Sequence, residues 1–355
     1  MRSLQLIEFG EPLEWREAPT PEPRGGEVLL RTLATGVCHS DLHLWEGYYG
    51  EDGRGRVYVK DRGVRLPLTL GHEIVGRVVA AGPAAEGAAE GDVRLVYPWI
   101  GCGECRHCRA ESPQMCAAPR SLGIFSQGGY SDHVLVPDAR FLVEIGDLPP
   151  AEACSYACAG LTAFSALRKT LPLDPDEELV IVGAGGLGLM AARLVGSMTS
   201  AAVTFVDVDE RKLEAARRFG DFATLDSRRV DAREELLRRT GSRGVAAVVD
   251  FVGSSETAAL GQGVLAKNGT LVIVGLFGGE LAVPTHFFPL RNATIRGSYT
   301  GSLQELRALL EMVREQALPP LPVACHPMEE VPRLLQEMRE GRVLGRAVVT
   351  PAPHT

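Results

Sequence analysis

The sequence predicts an α/β protein with two domains, one of which contains a doubly wound parallel sheet. The first observation is length, because 355 residues exceed what one hydrophobic core usually supports. The second is the apolar segment LVIV at residues 179–182, which is typical of a buried parallel strand and runs into a glycine-rich turn and an apolar helical stretch. The third is that strand-like segments recur at residues 245–253 and 269–279, as alternating strands and helices require.

Composition and charge limit the classes of function. Hydrophobic residues make up 45% of the chain and charged residues 23%, which is typical of a globular protein. The net charge of −8 and the pI of about 5.6 disfavour nucleic acid and membranes as partners. The apolar stretch at residues 179–198 contains several glycines and Arg193, so we interpret it as a buried strand and helix. Acidic residues stand where a signal peptide needs an apolar core, and we expect a cytoplasmic protein.

The glycine-rich turn has the sequence GAGGLG and the spacing of a dinucleotide-binding loop. Gly183 permits the tight turn, Gly185 lets the backbone approach a pyrophosphate, and Gly188 lets the helix pack closely against the strand. The N–H groups at the start of the helix then bind phosphate oxygens. We therefore predict a Rossmann domain with these cofactor-binding residues in its first loop: Gly183, Gly185, Gly186, Leu187 and Gly188.

An acidic residue follows at the distance that such a loop requires. Asp207 ends the strand-like segment AVTFVD, 19 residues after Gly188. Its carboxylate can accept hydrogen bonds from the ribose hydroxyls of an adenosine and repels a 2′-phosphate, and Asp209 adds a second negative charge. We therefore predict NAD instead of NADP as the cofactor. We also expect the end of a later strand, at Val274 and Leu276, to touch the nicotinamide amide.

Four cysteines lie within fifteen residues of the first half of the chain: Cys102, Cys105, Cys108 and Cys116. In a chain without a secretion signal, such a cluster indicates a metal site instead of disulfides. Four thiolates complete a tetrahedron around Zn²⁺ and leave no open position for a substrate. We therefore predict a structural zinc in a lobe near residues 98–117.

A second zinc site, with an open position, needs ligands from other segments. Cys38 stands in the segment CHSDLH and His72 in the segment GHEIVG. Cys154 and Cys158 are four residues apart, so both lie on one face if the segment is helical. Cys38, His72 and one of these two cysteines would offer two thiolates, one imidazole and one position for a substrate. The residues alone leave the choice between Cys154 and Cys158 open.

The sequence resembles the zinc-dependent medium-chain alcohol dehydrogenases over essentially its whole length. The resemblance rests on CHSDLH, GHEIVG, the four-cysteine lobe, CAGLTAF, GAGGLG and the VD at Asp207, in the expected order. It implies a GroES-like, β-rich catalytic domain of residues 1–157 and 298–355 and an NAD-binding Rossmann domain of residues 158–297. It also implies reversible oxidation of an alcohol to an aldehyde or ketone with hydride transfer to NAD, one catalytic and one structural zinc per chain, and a homodimer or homotetramer.

The resemblance assigns roles at the second zinc site. It implies that the catalytic zinc has three ligands: Cys38, His72 and Cys158. Cys158 is preferred over Cys154 because it stands immediately before a motif like AGLT. Glu73 would bind the zinc transiently when substrate is absent. Asp41 would orient a ligand histidine. Cys154 would be a small buried neighbour.

Further implied roles concern the proton, the substrate and the cofactor. Ser40 would hydrogen-bond the substrate hydroxyl, and His43 would pass the proton toward solvent through the nicotinamide ribose. Trp45 would line the substrate pocket. Three more residues would contact the pyrophosphate, the nicotinamide and the adenosine ribose, respectively: His39, Thr162 and Lys212.

Residues 48–67 are an insertion relative to many members of this family. The segment has five cations against three anions, a net charge of +2 in a chain of net charge −8. Because it follows directly from CHSDLH, we hypothesise that one of its arginines receives a carboxylate at the far end of the substrate. With YPWIGCGEC and LGIFSQGGY, the segment resembles the subgroup that oxidises ω-hydroxy acids such as 6-hydroxyhexanoate. The alternative is a solvated or oligomer-contact loop.

Other functions stay open at this point. The substrates would otherwise be neutral primary, aromatic or secondary alcohols. Zinc-free quinone and enoyl reductases share the scaffold but usually lack the set Cys38, His72 and Cys158. A nucleic-acid-binding zinc module is disfavoured by the acidic charge. A non-catalytic zinc protein has no physical need for Ser40 and His43.

Overall fold

The computed structural model describes residues 1–316 and 318–351. The strands of this part of the chain are β1 (Arg2–Leu6), β2 (Glu14–Glu17), β3 (Val28–Gly36), β4 (Tyr48–Asp52), β5 (Gly55–Tyr58), β6 (Leu68–Thr69), β7 (Glu73–Ala81), β8 (Val93–Val96), β9 (His133–Val136), β10 (Leu142–Glu144), β11 (Glu178–Val182), β12 (Ala202–Asp207), β13 (Ala223–Asp226), β14 (Val245–Asp250), β15 (Leu265–Ile273), β16 (Thr294–Gly297), β17 (Val323–Pro327) and β18 (Arg346–Thr350). The α-helices are α1 (His39–Glu46), α2 (Arg106–Arg109), α3 (Pro150–Ala153), α4 (Ala159–Arg168), α5 (Gly186–Val195), α6 (Glu210–Arg217), α7 (Ala232–Arg239), α8 (Ser255–Val264), α9 (Phe287–Arg291), α10 (Leu303–Glu315) and α11 (Val331–Arg339).

Six strands form a parallel sheet in the order β13-β12-β11-β14-β15-β16. Its central strands are apolar on both sides, because core lies on both faces. Leu179 and Ile181 of β11 belong to one buried cluster, and Val180 and Val182 to another. The strand order reverses at β11, and ligands of such sheets bind beyond the carboxyl ends of the strands at that point. The predicted doubly wound parallel sheet is confirmed.

A second, mixed sheet is built mainly from the first half of the chain. Its order is β10-β8-β7-β3-β18-β17, and β9 also pairs with β3. β3 and β7 pair antiparallel from Val28 opposite Ala81 to Gly36 opposite Glu73. The late strand β18 pairs with β3 at Val348 opposite Gly36. The carboxyl end of β3, the start of β7 and the start of β18 therefore lie side by side, just before the segment CHSDLH.

The insertion forms a small antiparallel hairpin of β4 and β5, followed by a 3₁₀ turn at Val59–Arg62. Val59 and Val64 are buried in the main core, whereas the charged side chains of the segment are exposed. The insertion is therefore an ordered hairpin with an apolar base.

Arg193 of α5 connects the parallel sheet's helix layer to the segment before Cys158. Its guanidinium lies 2.6 Å from Oε1 of Glu152, donates to the carbonyl of Pro319 at 2.6 Å, and also contacts the hydroxyl of Tyr156. The side chain of Arg193 is 4% exposed, so this charge is held inside the protein by its partners.

In residues 1–316 and 318–351, no helix combines the length and apolarity needed to cross a membrane.

Candidate active site

Helix α1 carries five of the six residues of CHSDLH. Cys38 is its N-cap residue, in an extended conformation, and its backbone N–H donates to Oδ2 of Asp41 at 3.0 Å. His39 and His43 lie one turn apart, with ring centres separated by 5.0 Å. Ser40 is half-buried in the first turn. The helix start thus holds Cys38 and spaces the two histidines on one face.

Asp41 is fully buried and accepts hydrogen bonds from three segments. Besides Cys38, the backbone N–H of Gly71 donates to Oδ1 at 3.1 Å and the hydroxyl of Tyr130 donates to Oδ2 at 2.9 Å. Oδ1 also lies 3.3 Å from Nδ1 of His72. Asp41 therefore fixes the imidazole from behind, as expected for a carboxylate next to a metal-binding histidine. Sequence reasoning missed this contact of Tyr130, which ends the segment LGIFSQGGY and is distant from Asp41 in the chain.

Cys38, His72 and Cys158 come together at the end of β3. One donor atom from each lies within 4.8 Å of the others, and the two sulfurs are 3.8 Å apart. Cys158 precedes α4, and its φ of −127° and ψ of −71° are not helical. The sulfur of Cys154 instead donates to the carbonyl of Ala151 at 3.4 Å. Of the two cysteines that the residues alone left open, the structure brings Cys158 to the site.

The chemistry of this donor set fits Zn²⁺. Nε2 of His72 is buried without a hydrogen-bond partner among the described residues, and Nδ1 has the ion-pair contact with Asp41. Burial lowers the pKa of His72, but Asp41 and Cys38 outweigh this effect and raise the pKa well above its ordinary value. The hydrogen bond with Cys158 lowers the pKa of Cys38 well below its ordinary value, although burial opposes this. The site thus stabilises a thiolate and favours a positive charge, and a Cys2His set leaves a fourth position open.

Glu73 lies between this site and the last strand. Its Oε1 accepts from the backbone N–H of Ala159 at 3.2 Å, and its Oε2 forms a buried ion pair with Arg346. Burial raises the pKa of Glu73 to about 7, although Arg346 opposes the shift. Nη1 of Arg346 lies 3.0 Å from the point that a Cβ at Gly186 would occupy. Arg346, which sequence reasoning missed, therefore links the metal-site carboxylate to the glycine-rich loop.

His43 lies next to His39 and Tyr49. Burial and the neighbouring His39 lower the pKa of His43 to about 4. Its Nδ1 is buried and has no hydrogen-bond partner among the described residues. The ring of Tyr49 lies 5.8 Å from that of His43. His43 is thus a neutral imidazole at physiological pH, with a nitrogen able to exchange a proton.

Trp45 does not take the predicted place in the substrate pocket. Its indole N–H donates to the carbonyl of Glu11 at 2.8 Å, and the guanidinium of Arg339 lies 5.3 Å above the ring. Two residues along an α-helix turn by about 200°, so Trp45 faces away from His43. The resemblance predicted a pocket role from the residue type alone, but the orientation of α1 places Trp45 on the face of the helix opposite His43.

Two other aromatic side chains lie beside the metal site instead. The ring of Trp99 is 5.6 Å from that of His72, and its indole N–H donates to the carbonyl of Ala157 at 2.9 Å. The ring of Tyr299 is 5.9 Å from that of Trp99, and Tyr299 is 49% exposed. Sequence reasoning missed both as pocket residues, because Trp99, although in the quoted segment YPWIGCGEC, and Tyr299 come from separate segments and meet only in the folded chain.

The glycine-rich loop has the conformation that its sequence predicts. Gly183 has a φ of +92°, and a Cβ at Gly188 would collide with the carbonyl oxygen of Gly183. Helix α5 begins at Gly186, so its first N–H groups lie at the crevice where the strand order reverses. Asp207 accepts from the backbone N–H of Ala184 at 2.7 Å, and its other oxygen accepts from that of Asp209 at 2.9 Å. The predicted acid therefore lies directly against the loop.

The remaining predicted cofactor residues lie on α1, α4, α6 and the segment after β15. Partial desolvation lowers the pKa of His39, although the residue is exposed at the start of α1, and the positive charge of Lys212 adds to this effect. Thr162 is buried, and its N–H donates to the carbonyl of Cys158 at 2.8 Å. Val274 follows β15, with its N–H bonded to the carbonyl of Asp250 at 2.9 Å, and Leu276 is 47% exposed.

The four cysteines of the lobe converge as the spacing predicts. One sulfur from each lies within 4.8 Å of the others: Cys102, Cys105, Cys108 and Cys116. Backbone N–H groups donate to the sulfur of Cys102 from Glu104 and Cys105, and these bonds lower the pKa of Cys102 to about 6. Burial raises the pKa of Cys108 to about 12. N–H groups directed at sulfur stabilise thiolates, so this set fits a tetrahedral Zn²⁺.

Two family models match the chain. The alcohol dehydrogenase GroES-like domain matches residues 24–147, and the zinc-binding dehydrogenase domain matches residues 186–315. The NAD-dependent alcohol dehydrogenase of Sulfurisphaera tokodaii is 36% identical over 99% of this chain and 100% of its own. The NAD-dependent alcohol dehydrogenase of Saccharolobus solfataricus has the same identity and coverage, and the D-arabinose 1-dehydrogenase (NADP⁺) of that organism is 31% identical over 98% of this chain and 96% of its own.

A solved structure is similar over the same extent. The crystal structure of the alcohol dehydrogenase from the archaeon Aeropyrum pernix superposes with a TM-score of 0.89, at 33% identity, over 99% of this chain and 100% of that one. Both the sequence and the architecture are thus shared from end to end. The chain belongs to the zinc-type medium-chain alcohol dehydrogenase family.

Proposed function

We propose that the protein catalyses the reversible, NAD-dependent oxidation of an alcohol to an aldehyde or ketone at a zinc site formed by Cys38, His72 and Cys158. The observation that carries the proposal is the convergence of three donors within 4.8 Å. Arg346 connects this site to the dinucleotide loop, since it contacts both Glu73 and the neighbourhood of Gly186. Catalytic zinc sites have three protein ligands and an open position, as here.

When bound, Zn²⁺ supplies a Lewis acid that makes an alcohol more acidic. NAD, when bound, accepts the hydride. The chain's own residues position these groups. Asp41 orients His72, and Trp99 shields the imidazole on one side. The buried ion pair places the carboxylate of Glu73 on the side of the metal site and the guanidinium of Arg346 on the side of the cofactor loop.

Ser40 and His43 move the proton. We assign the Ser40 hydroxyl to the substrate hydroxyl, because Ser40 stands two residues after Cys38 in the first turn of α1. His43 is one turn further on, neutral above about pH 4, and Nδ1 is free to accept the proton. We assign the imidazole of His39 and the positive charge of Lys212 to the cofactor side of the crevice.

The cofactor is NAD, since the carboxylate of Asp207 against the loop would repel a 2′-phosphate. The relatives that are 36% identical are named NAD-dependent, whereas the relative named for NADP⁺ is 31% identical. We assign the cofactor contacts to Thr162, Val274 and Leu276 and to the glycine-rich loop, residues 183–188. Residues 158–297 then form the cofactor domain, and residues 1–157 and 298–355 the catalytic domain.

The assembly that we propose is a homodimer. β16 is an edge strand, which pairs with β15 alone among the described strands. Leu290 and Phe288 precede it and are 70% and 39% exposed. An open strand edge beside exposed apolar side chains is typical of an interface. Light scattering should give twice the chain mass of 38.1 kDa, whereas four times that mass would indicate a tetramer instead.

Purified, zinc-loaded protein with NAD should form NADH from at least one of four alcohols: 1-hexanol, benzyl alcohol, 2-butanol and 6-hydroxyhexanoate. Cys158→Ser should remove most of this activity and the catalytic zinc, whereas Cys154→Ser, a change of the same chemistry one turn away, should keep both. Cys105→Ser should lower the zinc content from about two to about one per chain. Full activity of Cys158→Ser would contradict the proposed site.

A further inference from the structure

The loop that follows β15, residues 274–280, lies between two other segments of the chain. On one side, Gly278 donates its N–H to the carbonyl of Gly253, in the segment after β14, at 3.1 Å. On the other side, the N–H of Gly279 donates to the carbonyl of Glu51 in β4 at 2.8 Å. Gly278 also forms a parallel bridge with Glu51. The loop is thus bonded to the parallel-sheet half of the chain on one side and to the hairpin of the insertion on the other.

The contact between the hairpin and the loop is made by backbone atoms. A Cβ at Gly50 would lie 2.9 Å from the carbonyl oxygen of Leu276 and 3.2 Å from the Cα of Gly278. A Cβ at Gly278, which has a φ of +103°, would lie 2.6 Å from the carbonyl oxygen of Glu51. Glycines on both sides therefore let the two backbones approach each other this closely. The side chain of Phe277 is 72% exposed and is not what holds the loop.

The other end of β4 lies against the proton-transfer residue. The ring of Tyr49 is 5.8 Å from that of His43, and a hydrogen bond to the backbone of Tyr48 partly opposes the lowering of the pKa of His43. The hairpin is anchored at this end, since the N–H of Val59, a buried core residue, donates to the carbonyl of Gly47 at 3.0 Å. One strand of five residues thus connects the surroundings of His43 to the loop after β15.

The first part of this loop is fixed by the parallel sheet alone. The N–H groups of Val274 and Gly275 both donate to the carbonyl of Asp250, at the end of β14, at 2.9 and 3.1 Å. Residues 276–280 leave the sheet, and the hairpin is their second support. Without the hairpin, this part of the loop would be held on one side only. It includes Leu276, to which we assign a contact with the nicotinamide.

We propose that the hairpin is a strap that positions the nicotinamide-binding loop, with Gly50 and Glu51 as its positioning residues. The carbonyl of Glu51 holds the loop from the side opposite the parallel sheet, and Gly50 leaves the room that this contact needs. Because the strap begins beside His43, it fixes the loop and the proton-transfer residue relative to each other. Its loss should release the nicotinamide end of the cofactor faster and leave the adenosine end unaffected. This inference rests on the proposed NAD site.

Gly50→Ala tests the strap. The three atoms nearest to its Cβ would be backbone atoms of the loop, and Gly50 does not have a left-handed φ, so the change acts on the contact itself. Fluorescence titration of the zinc-loaded protein should give a Kd for NADH about 3- to 10-fold higher than in the wild type, because a backbone hydrogen bond is lost. The rate of NADH dissociation in stopped flow should rise by a similar factor. The Kd for ADP-ribose, which lacks the nicotinamide, should not change.

Gly53→Ala is the matched control, because Gly53 is a glycine of the same hairpin and has no left-handed φ. Its Cβ would lie 2.7 Å from Oε1 of Glu280, the end of a flexible side chain that can move aside. The Kd values for NADH and ADP-ribose should both stay at the wild-type values.

Hydrogen exchange in the wild type is a second readout, and it needs no variant. NADH should slow the exchange of the backbone amides of residues 48–53 and 276–280, whereas ADP-ribose should not. If Gly50→Ala does not fold, this comparison decides alone.

Equal Kd values for NADH in Gly50→Ala and the wild type would overturn the inference. So would an equal weakening of NADH and ADP-ribose, an equal loss in Gly53→Ala, or a hairpin that NADH protects no more than ADP-ribose does. In each of these cases the cofactor still binds, and the proposed alcohol oxidation stands without the strap. A wild type that binds neither NADH nor ADP-ribose would contradict the proposed cofactor site, and the inference falls with it.

Discussion

Oδ1 of Asp41 lies 3.3 Å from Nδ1 of His72, and neither side chain is exposed. The same carboxylate accepts from Cys38, Gly71 and Tyr130, so three segments of the chain meet at one buried anion. Because Nδ1 faces Asp41, Nε2 is the ring nitrogen left for the metal. Asp41 thus fixes both the orientation of His72 and the position of the helix that begins at Cys38.

Asp41→Asn should therefore weaken zinc retention and lower kcat/KM, each by about 10- to 100-fold. Asparagine keeps the shape but loses the negative charge and turns N–H groups toward donors. Zinc release to a competing chelator and steady-state kinetics measure the two effects. Tyr130→Phe, which removes one hydrogen bond and keeps the charge, should have a smaller effect in the same direction. Asp147→Asn, at an exposed position, is the control, and equal zinc retention in Asp41→Asn and Asp147→Asn would contradict the role.

Asp207→Ser should shift the cofactor preference toward NADP. The carboxylate lies against the glycine-rich loop, 2.7 Å from the N–H of Ala184, where an adenosine ribose would bind. Removing the carboxylate abolishes the repulsion of a 2′-phosphate. It also takes away a strong acceptor for the ribose hydroxyls. The ratio of kcat/KM values, NADP over NAD, should rise by about ten-fold or more. Asp221→Ser, an exposed control, should not change it, and an unaltered ratio in Asp207→Ser would place the ribose elsewhere.

Features that depend on one short segment were predictable from sequence. The four cysteines of the lobe need only a loop of fifteen residues to converge, and GAGGLG needs only a strand, a turn and a helix. The doubly wound sheet followed from the alternation of apolar strands with helical stretches. In each case the spacing of residues along the chain is enough to predict the arrangement in the fold.

Features that depend on tertiary contacts were not predictable. Tyr130, Arg346 and Tyr299 reach the site from distant segments, and no local spacing in the sequence indicates the contacts that they make there. Trp45 was assigned by resemblance, yet the helix turns it toward Glu11. The insertion was recognised as a cationic segment, but its fold as a hairpin followed by two buried valines, Val59 and Val64, depends on contacts with the main core.

His43 should make the folded protein less stable at mildly acidic pH. Its folded-state pKa of about 4 is below the ordinary value of 6.5, because of burial and His39. Between these pH values the unfolded chain binds a proton that the folded chain excludes. The contribution is therefore fully present above pH 6.5 and is lost as the pH falls toward 4.

Urea-unfolding midpoints at pH 7.5 and pH 5 measure this effect. The midpoint should fall with pH in the wild type and should fall less in His43→Gln, which cannot titrate. His286→Gln, at an exposed histidine, should behave like the wild type. An identical fall in His43→Gln would show that other groups cause the acid sensitivity.

Arg193 should be a strong determinant of stability, because its charge is buried and its partners come from two other segments. Arg193→Met leaves the carbonyl of Pro319 without its donor and Glu152 without its counter-charge, with only the hydroxyl of Tyr156 still donating to it, and breaking a buried pair in this way costs about 3–5 kcal/mol. Arg238→Met breaks a surface pair with Glu235, in which the arginine is 71% exposed, and should lower the stability far less, because solvent screens such a pair. Thermal and urea-unfolding midpoints should separate the two variants clearly. Similar midpoints would mean that water or another side chain replaces the guanidinium, and that α5 is held to the segment before Cys158 by its apolar contacts alone.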